Sequence, residues 1–149
     1  MSRYRRVNID GQSLYKTETR LTAADLKPGT FATINGSDKF AQATAVAGRM
    51  YVIDVAYHEG LTITDPVPAG HSAIGNYVEE GRELAILCAA GAYAKDTPIK
   101  VNSSGQGAVG VDGTDAIVGF SQDEFTIGSG ETEFIRVRMR ATQKPGAAA

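Results

Sequence analysis

The sequence predicts an all-β barrel or sandwich. Three observations carry this. Short runs alternate apolar and polar residues with period two. Clusters of Gly, Pro, Asn, Asp and Ser separate those runs. No helical periodicity extends beyond about one turn. A chain of 149 residues, 42% hydrophobic and 21% charged, suits one domain with a real core.

The elements follow in chain order. Residues 2–20 have no clean period, so 1–26 are expected to form an extended N-terminal arm with a reach on the order of 80 Å, ordered by a partner if at all. Thr22 and Asp25 make a weak capping signature for one helical turn over 21–26, which Lys27-Pro28-Gly29 stops. A β-domain is expected over 27–142. Its first strands, 30–34 and 39–43, flank Asn35-Gly36-Ser37, a hairpin signal because Asn and Gly tolerate positive φ. A strand over 50–57 would place Tyr51, Ile53, Val55 and Tyr57 on one face, and Leu61-Thr-Ile-Thr64 alternates in the same way. Asp65-Pro66-Val67-Pro68 is a rigid connection.

The apolar run 83–89 fits a buried strand or a short buried helix. Its length and the flanking Gly81 and Gly91 favour strand. Strands over 98–102, 107–111 and 117–121 are separated by Ser-Ser-Gly and Asp-Gly-Thr turns. The last strand is the clearest: residues 135, 137, 139 and 141 face one way, and Arg136, Arg138 and Arg140 the other. Residues 143–149 read as a flexible C-terminal tail. No repeat at a fixed spacing is evident in the sequence.

Charge is distributed unevenly. Residues 1–20 carry +3, residues 136–149 carry +4, and the stretch between carries −9, which returns the formal net charge of −2. Basic ends on an acidic body favour contact with acidic surfaces. No apolar run approaches the ~20 residues a membrane helix needs, and no secretory h-region follows the basic start. The single Cys88 lies in an apolar run and reads as a buried small hydrophobe. Two His and one Cys are too few for a closed structural zinc site.

Chemical signatures are weak. Gly105-Gln-Gly-Ala-Val-Gly110 matches a dinucleotide fingerprint literally, but a turn follows where a helix is needed. Glu79-Glu80 and Asp123-Glu124 are adjacent pairs whose side chains diverge in a strand. His58 beside Glu59 and His71 beside Ser72 read as loop histidines. No catalytic, cofactor-binding or metal-binding residue is assigned, and no enzymatic activity is expected. The arginine row lacks interleaved exposed aromatics, which disfavours specific nucleic-acid binding. Two readings of that row compete: a salt-bridged strand face, or a lock onto an acidic protein surface. The second is placed ahead because three guanidiniums on one face repel without partners.

The chain also resembles the capsid decoration, or cement, proteins of tailed bacteriophages, over about residues 26–140. The resemblance is carried by Lys27-Pro-Gly-Thr-Phe31, Tyr77-Val-Glu-Glu-Gly-Arg-Glu83, Lys95-Asp-Thr-Pro-Ile99, Asp115-Ala-Ile-Val-Gly-Phe120 and Phe134-Ile-Arg-Val-Arg138. It implies a small β-barrel- or β-tulip-like domain on the outer surface of the virion, made in the bacterial host cytoplasm. It further implies bridging of neighbouring major capsid protein subunits, as a homo-oligomer with a trimer favoured over a dimer, and no cofactor. The residues expected to grip the capsid are Arg3, Arg5, Arg6, Arg20, Arg136, Arg138 and Arg140. The alternative is a receptor- or carbohydrate-binding β-module of a tail or fibre, for which Tyr51, Tyr57, Tyr77 and Tyr93 are the candidate platform.

Overall fold

A computed structural model describes residues 3–9, 16–46 and 48–140. Ten strands form two five-stranded halves. The first half holds β1 (Thr17–Leu21), β2 (Phe31–Ile34), β3 (Phe40–Gln42), β4 (Tyr51–Ile53) and β5 (Ser72–Tyr77), in the order β1-β5-β4-β2-β3. The second is a closed barrel of β6 (Glu83–Tyr93), β7 (Pro98–Val101), β8 (Gly107–Val109), β9 (Gly119–Ser121) and β10 (Phe125–Met139), joined as β10-β6-β8-β7-β9.

The two halves share one topology. Within each, four neighbouring pairs are antiparallel and the last contact is parallel: Thr22 bridges Phe40 in the first half, and Cys88 pairs with Gly107 in the second. The registers match residue for residue. Ala32↔Gln42 and Ile34↔Phe40 correspond to Ile99↔Val109 and Val101↔Gly107. Thr17↔Asn76 corresponds to Glu83↔Arg138.

The hairpin loops match as well. Asn35 Oδ1 accepts from the Ser37 and Lys39 N–H groups, and Asn102 Oδ1 from Ser104 and Gln106. Positive φ falls at Asp38 and Gly105, not at Asn35 or Gly36 as the hairpin signal implied. Each loop is a turn closed by one left-handed residue, with the Asn side chain replacing missing backbone partners. The repeat lies in backbone geometry, which many sequences satisfy, so it escapes a search for sequence periodicity.

The segment expected as a free arm, 1–26, is built into the body where it is described. Val7 is fully buried, Asn8 bridges Leu84, and the Ala85 N–H donates to the Val7 carbonyl at 3.0 Å. Thr17–Leu21 covers the edge of β5, an edge that would otherwise be open to unwanted pairing. The helical turn expected over 21–26 is absent. Thr22 and Leu26 spend their backbones on bridges to Phe40 and Val67, and Asp25 accepts from the Ala69 N–H. Leu61–Thr64 is not a strand either, because Thr62 turns on the Asp65 carboxylate. The run 50–57 ends its strand at Ile53 and bends into a short 3-10 turn, Tyr57–Glu59, which leaves Tyr57 exposed. The tail 143–149 and the end of the expected domain at 142 lie outside the described residues.

Two cores result. Ala32, Phe40, Tyr51, Ile53 and Ala73 fill the first half. The opposite faces of the same strands, Phe31 and Val52, join Leu84, Ile86, Ile99, Val118, Ile135 and Val137 in the second core. Strands β2 and β4 are thus covered on both faces, which explains the unbroken apolar run Met50-Tyr-Val-Ile53.

The joint between the halves is the turn Lys27-Pro28-Gly29. Gly29 has φ +82°, and its carbonyl accepts from the Leu87 N–H at 2.9 Å. A Cβ there would stand 2.5 Å from Phe134 Cε1 and 3.0 Å from the Leu87 nitrogen. Gly29→Ala is expected to cost about 2–3 kcal/mol in urea unfolding. Gly113→Ala, where φ is +90° but the space is open, should cost about 1 kcal/mol. Equal losses would remove the joint from this account.

Candidate interaction surface

Strand β10 places Ile135, Val137 and Met139 in the core and turns Arg136 and Arg138 outward, as alternation requires. On the neighbouring strand β6, Glu83 lies opposite Arg138 and shares that outer face. Arg136 Nε donates to Glu83 Oε1 at 2.6 Å and its Nη2 contacts the same oxygen. Arg138 donates to Oε2 from Nε at 3.0 Å and from Nη2. Two guanidiniums therefore clamp one carboxylate, one on each oxygen.

Burial pushes the Glu83 carboxyl up, but the hydrogen bonds from Arg138 and Arg136 outweigh it and hold the group below its ordinary 4.5. The Glu83 hydrogen bond raises Arg136 in return.

A second cluster adjoins the first. Asp123 accepts from the Tyr4 hydroxyl at 2.8 Å, the Arg136 backbone N–H at 2.9 Å and Arg3 Nη1 at 3.3 Å. The Arg3 guanidinium also lies 4.2 Å from the Phe125 ring centroid. This set ties the N-terminal segment to β10. Burial and the Asp123 hydrogen bond push the Tyr4 hydroxyl up to about 12.

The structure does not gather all seven expected arginines. Arg3, Arg136 and Arg138 share one face. Arg140 continues the line, paired with Asp112 and set over Phe120. Arg20 belongs to the first half, where it joins Asp38 and Glu18. Arg5 and Arg6 are exposed on the N-terminal segment, and the Arg5 carbonyl accepts from Tyr57. The three guanidiniums of the row are not without partners, since carboxylates of the same chain engage each of them, Glu83 being shared by two. The signal missed in the sequence was Glu83, a lone acid opening an apolar strand. Its role depends on strand pairing, which local sequence does not display.

The other candidates are accounted for. Tyr51 is buried, edge-on to Phe40 and Tyr77, with its hydroxyl on Glu18 at 2.6 Å. Tyr93 is buried and donates to the Ala89 carbonyl. Of the four expected platform tyrosines only Tyr57 is exposed beyond half, so they form no shared platform. His71 meets Glu59 at 2.8 Å, and Ser72 offers His58 only its carbonyl, so this set holds no poised nucleophile. The glycine motif at 105–110 runs through the end of a hairpin and strand β8, with no helix. Among the described residues no group of three or more His, Cys, Asp or Glu is arranged to hold a metal ion, and no helix is long and apolar enough to cross a membrane. A shallow cleft of about 330 Å³ at the joint is lined by Lys27, Ile63, Leu87 and Phe134.

The profile of a family described as XM1 gp53 minor capsid protein matches residues 1–139. The chain belongs to that family. Its membership makes it a capsid-associated structural protein of a bacteriophage virion. Among solved structures, the chain resembles the N base of the head fibre protein gp8.5 of bacteriophage phi29. The TM-score is 0.58 at 9% identity, over 85% of this chain and 95% of that one. At that identity the likeness is one of fold. No curated protein matches in sequence.

Two outcomes follow. Glu83 titrates below its unfolded value, so its stabilisation is present above the ordinary carboxylate range and lost as pH falls through the lowered value. Glu83→Gln should lower stability by about 1 kcal/mol at pH 7, a modest figure because both arginines are about half exposed. The difference from wild type should narrow as the pH falls below the ordinary 4.5 and through the lowered folded-state value. A gap of constant size across that range would assign the loss to packing. Separately, burial pushes the Cys88 thiol far up, so a thiol-specific disulfide reagent should leave the native protein unlabelled and label it fully in denaturant.

Proposed function

We propose that this chain binds the outer surface of the capsid and cements the shell by bridging neighbouring major capsid protein subunits. The observation that carries this reading is the minor-capsid family match over residues 1–139. The physical features are consistent with adhesion rather than turnover. The described surface offers charged strand faces and a shallow cleft, while its one cysteine is buried. Homo-oligomers, trimers before dimers, would multiply modest contacts through high effective concentration.

A second reading has its own support. The fold likeness to a head-fibre base favours a role as the foot of a projecting fibre. Both readings place the chain on the capsid, and they differ in what binding does.

The test uses capsids of its own virus assembled without this chain. Adding the purified protein should raise the temperature at which those shells release DNA, and a density map should place it across subunit boundaries. Binding without any thermal gain, beneath a rod-like projection, would replace the cement reading with the fibre one.

A further inference from the structure

We propose that Arg136 and Arg138, held by Glu83, form a preorganised receptor for a carboxylate, and that they dock an acidic loop of the capsid shell. This rests on the capsid-binding reading above and narrows it to one place.

The geometry supplies the first argument. Glu83 engages the Nε–Nη2 edge of each guanidinium, one per oxygen, so the Nη1 donors of both take no part in the clamp. The carboxylate is sunk, with its side chain 12% exposed, whereas Arg136 and Arg138 are 45% and 55% exposed. Two cations on one anion leave a net positive charge at the mouth of the clamp. Rotamer freedom is already lost in the free protein, so a partner carboxylate meets fixed, planar donors.

The internal repeat supplies the second argument. Glu83 and Arg138 occupy the register of Thr17 and Asn76, and Ala85 and Arg136 that of Thr19 and Ile74. The same fold is built in the first half without any charge at those positions. The clamp is therefore not demanded by the barrel.

Its neighbours sharpen the assignment. Arg3, Arg20 and Arg140 each meet carboxylates of their own and are all 31% exposed. Among these four acid-paired sites, Arg136 and Arg138 share a single carboxylate and keep about half of each side chain exposed. An Asp or Glu side chain matches the planar donors and the residual charge.

The experiment measures affinity for capsids of the same virus that lack this chain. Arg138→Lys keeps the charge but loses the fork, and should weaken binding about tenfold. Glu83→Gln raises the positive charge while freeing both arginines. A site acting by charge alone would bind tighter, whereas the receptor should bind several-fold weaker. Arg20→Gln should bind as wild type does. Thermal unfolding checks each variant, and Arg138→Lys, at an exposed position, carries the test if Glu83→Gln does not fold. Wild-type affinity in Arg138→Lys, tighter binding by folded Glu83→Gln, or an equal loss in Arg20→Gln overturns the receptor while leaving capsid binding intact. No binding by the wild type removes the capsid reading and the receptor with it.

Discussion

The structure depends on strand β6, because three separate segments use the edge that β10 leaves open. Its Ala85 N–H goes to Val7, its Leu87 N–H goes to Gly29, and Cys88 pairs with Gly107 of β8. One strand thus closes the barrel, seats the first half and holds the N-terminal segment. Every residue from Glu83 to Cys88 is buried, so each of those backbone groups needs a partner inside the fold. The apolar run is long because it has neighbours on both faces and both edges.

The two halves repeat one five-stranded plan and differ most where they meet. Gly105 of the second half lies against Phe31 and Ala43, so close that a Cβ would stand 3.0 Å from the Phe31 carbonyl. Its counterpart Asp38 is exposed and paired with Arg20. Leu87 and Phe134 are buried beside the Gly29 turn, while their counterparts Leu21 and Ser72 lie at or near the surface. Phe31, whose N–H donates to Gly105, corresponds to Pro98, which has no N–H to give. These substitutions suit a pair of units that stacks once and stops, since a third unit would meet charge and a missing donor.

The electrostatics follow the same economy. Acids set opposite or beside the cations offset much of the charge on the arginine face, and most of those pairs are part exposed and individually weak. Glu83 differs because it is sunk and shared. Asp123 differs because it gathers a tyrosine, an arginine and a backbone N–H, and so fastens a segment that is remote in sequence. Part of the charge asymmetry between the ends and the middle is offset within the molecule: Arg3 and Arg136 both turn toward acids of the acidic middle.

What the residues determined unaided was local. Period-two alternation sent Ile135 and Val137 in and Arg136 and Arg138 out along β10, Asn35 and Asn102 closed hairpins, and the burial of Cys88 was legible from its apolar run. These outcomes depend on contacts a few residues apart, or on a face pattern that any sheet must satisfy. Tertiary structure alone decided the rest. It paired Glu83 with two arginines more than fifty positions away and drew Val7 and Thr17–Leu21 into the body. It also made two halves with little visible sequence likeness follow one register. The reason is that strand order and register are set by which edges and faces remain to be covered, a property of the assembled sheet and not of any single segment.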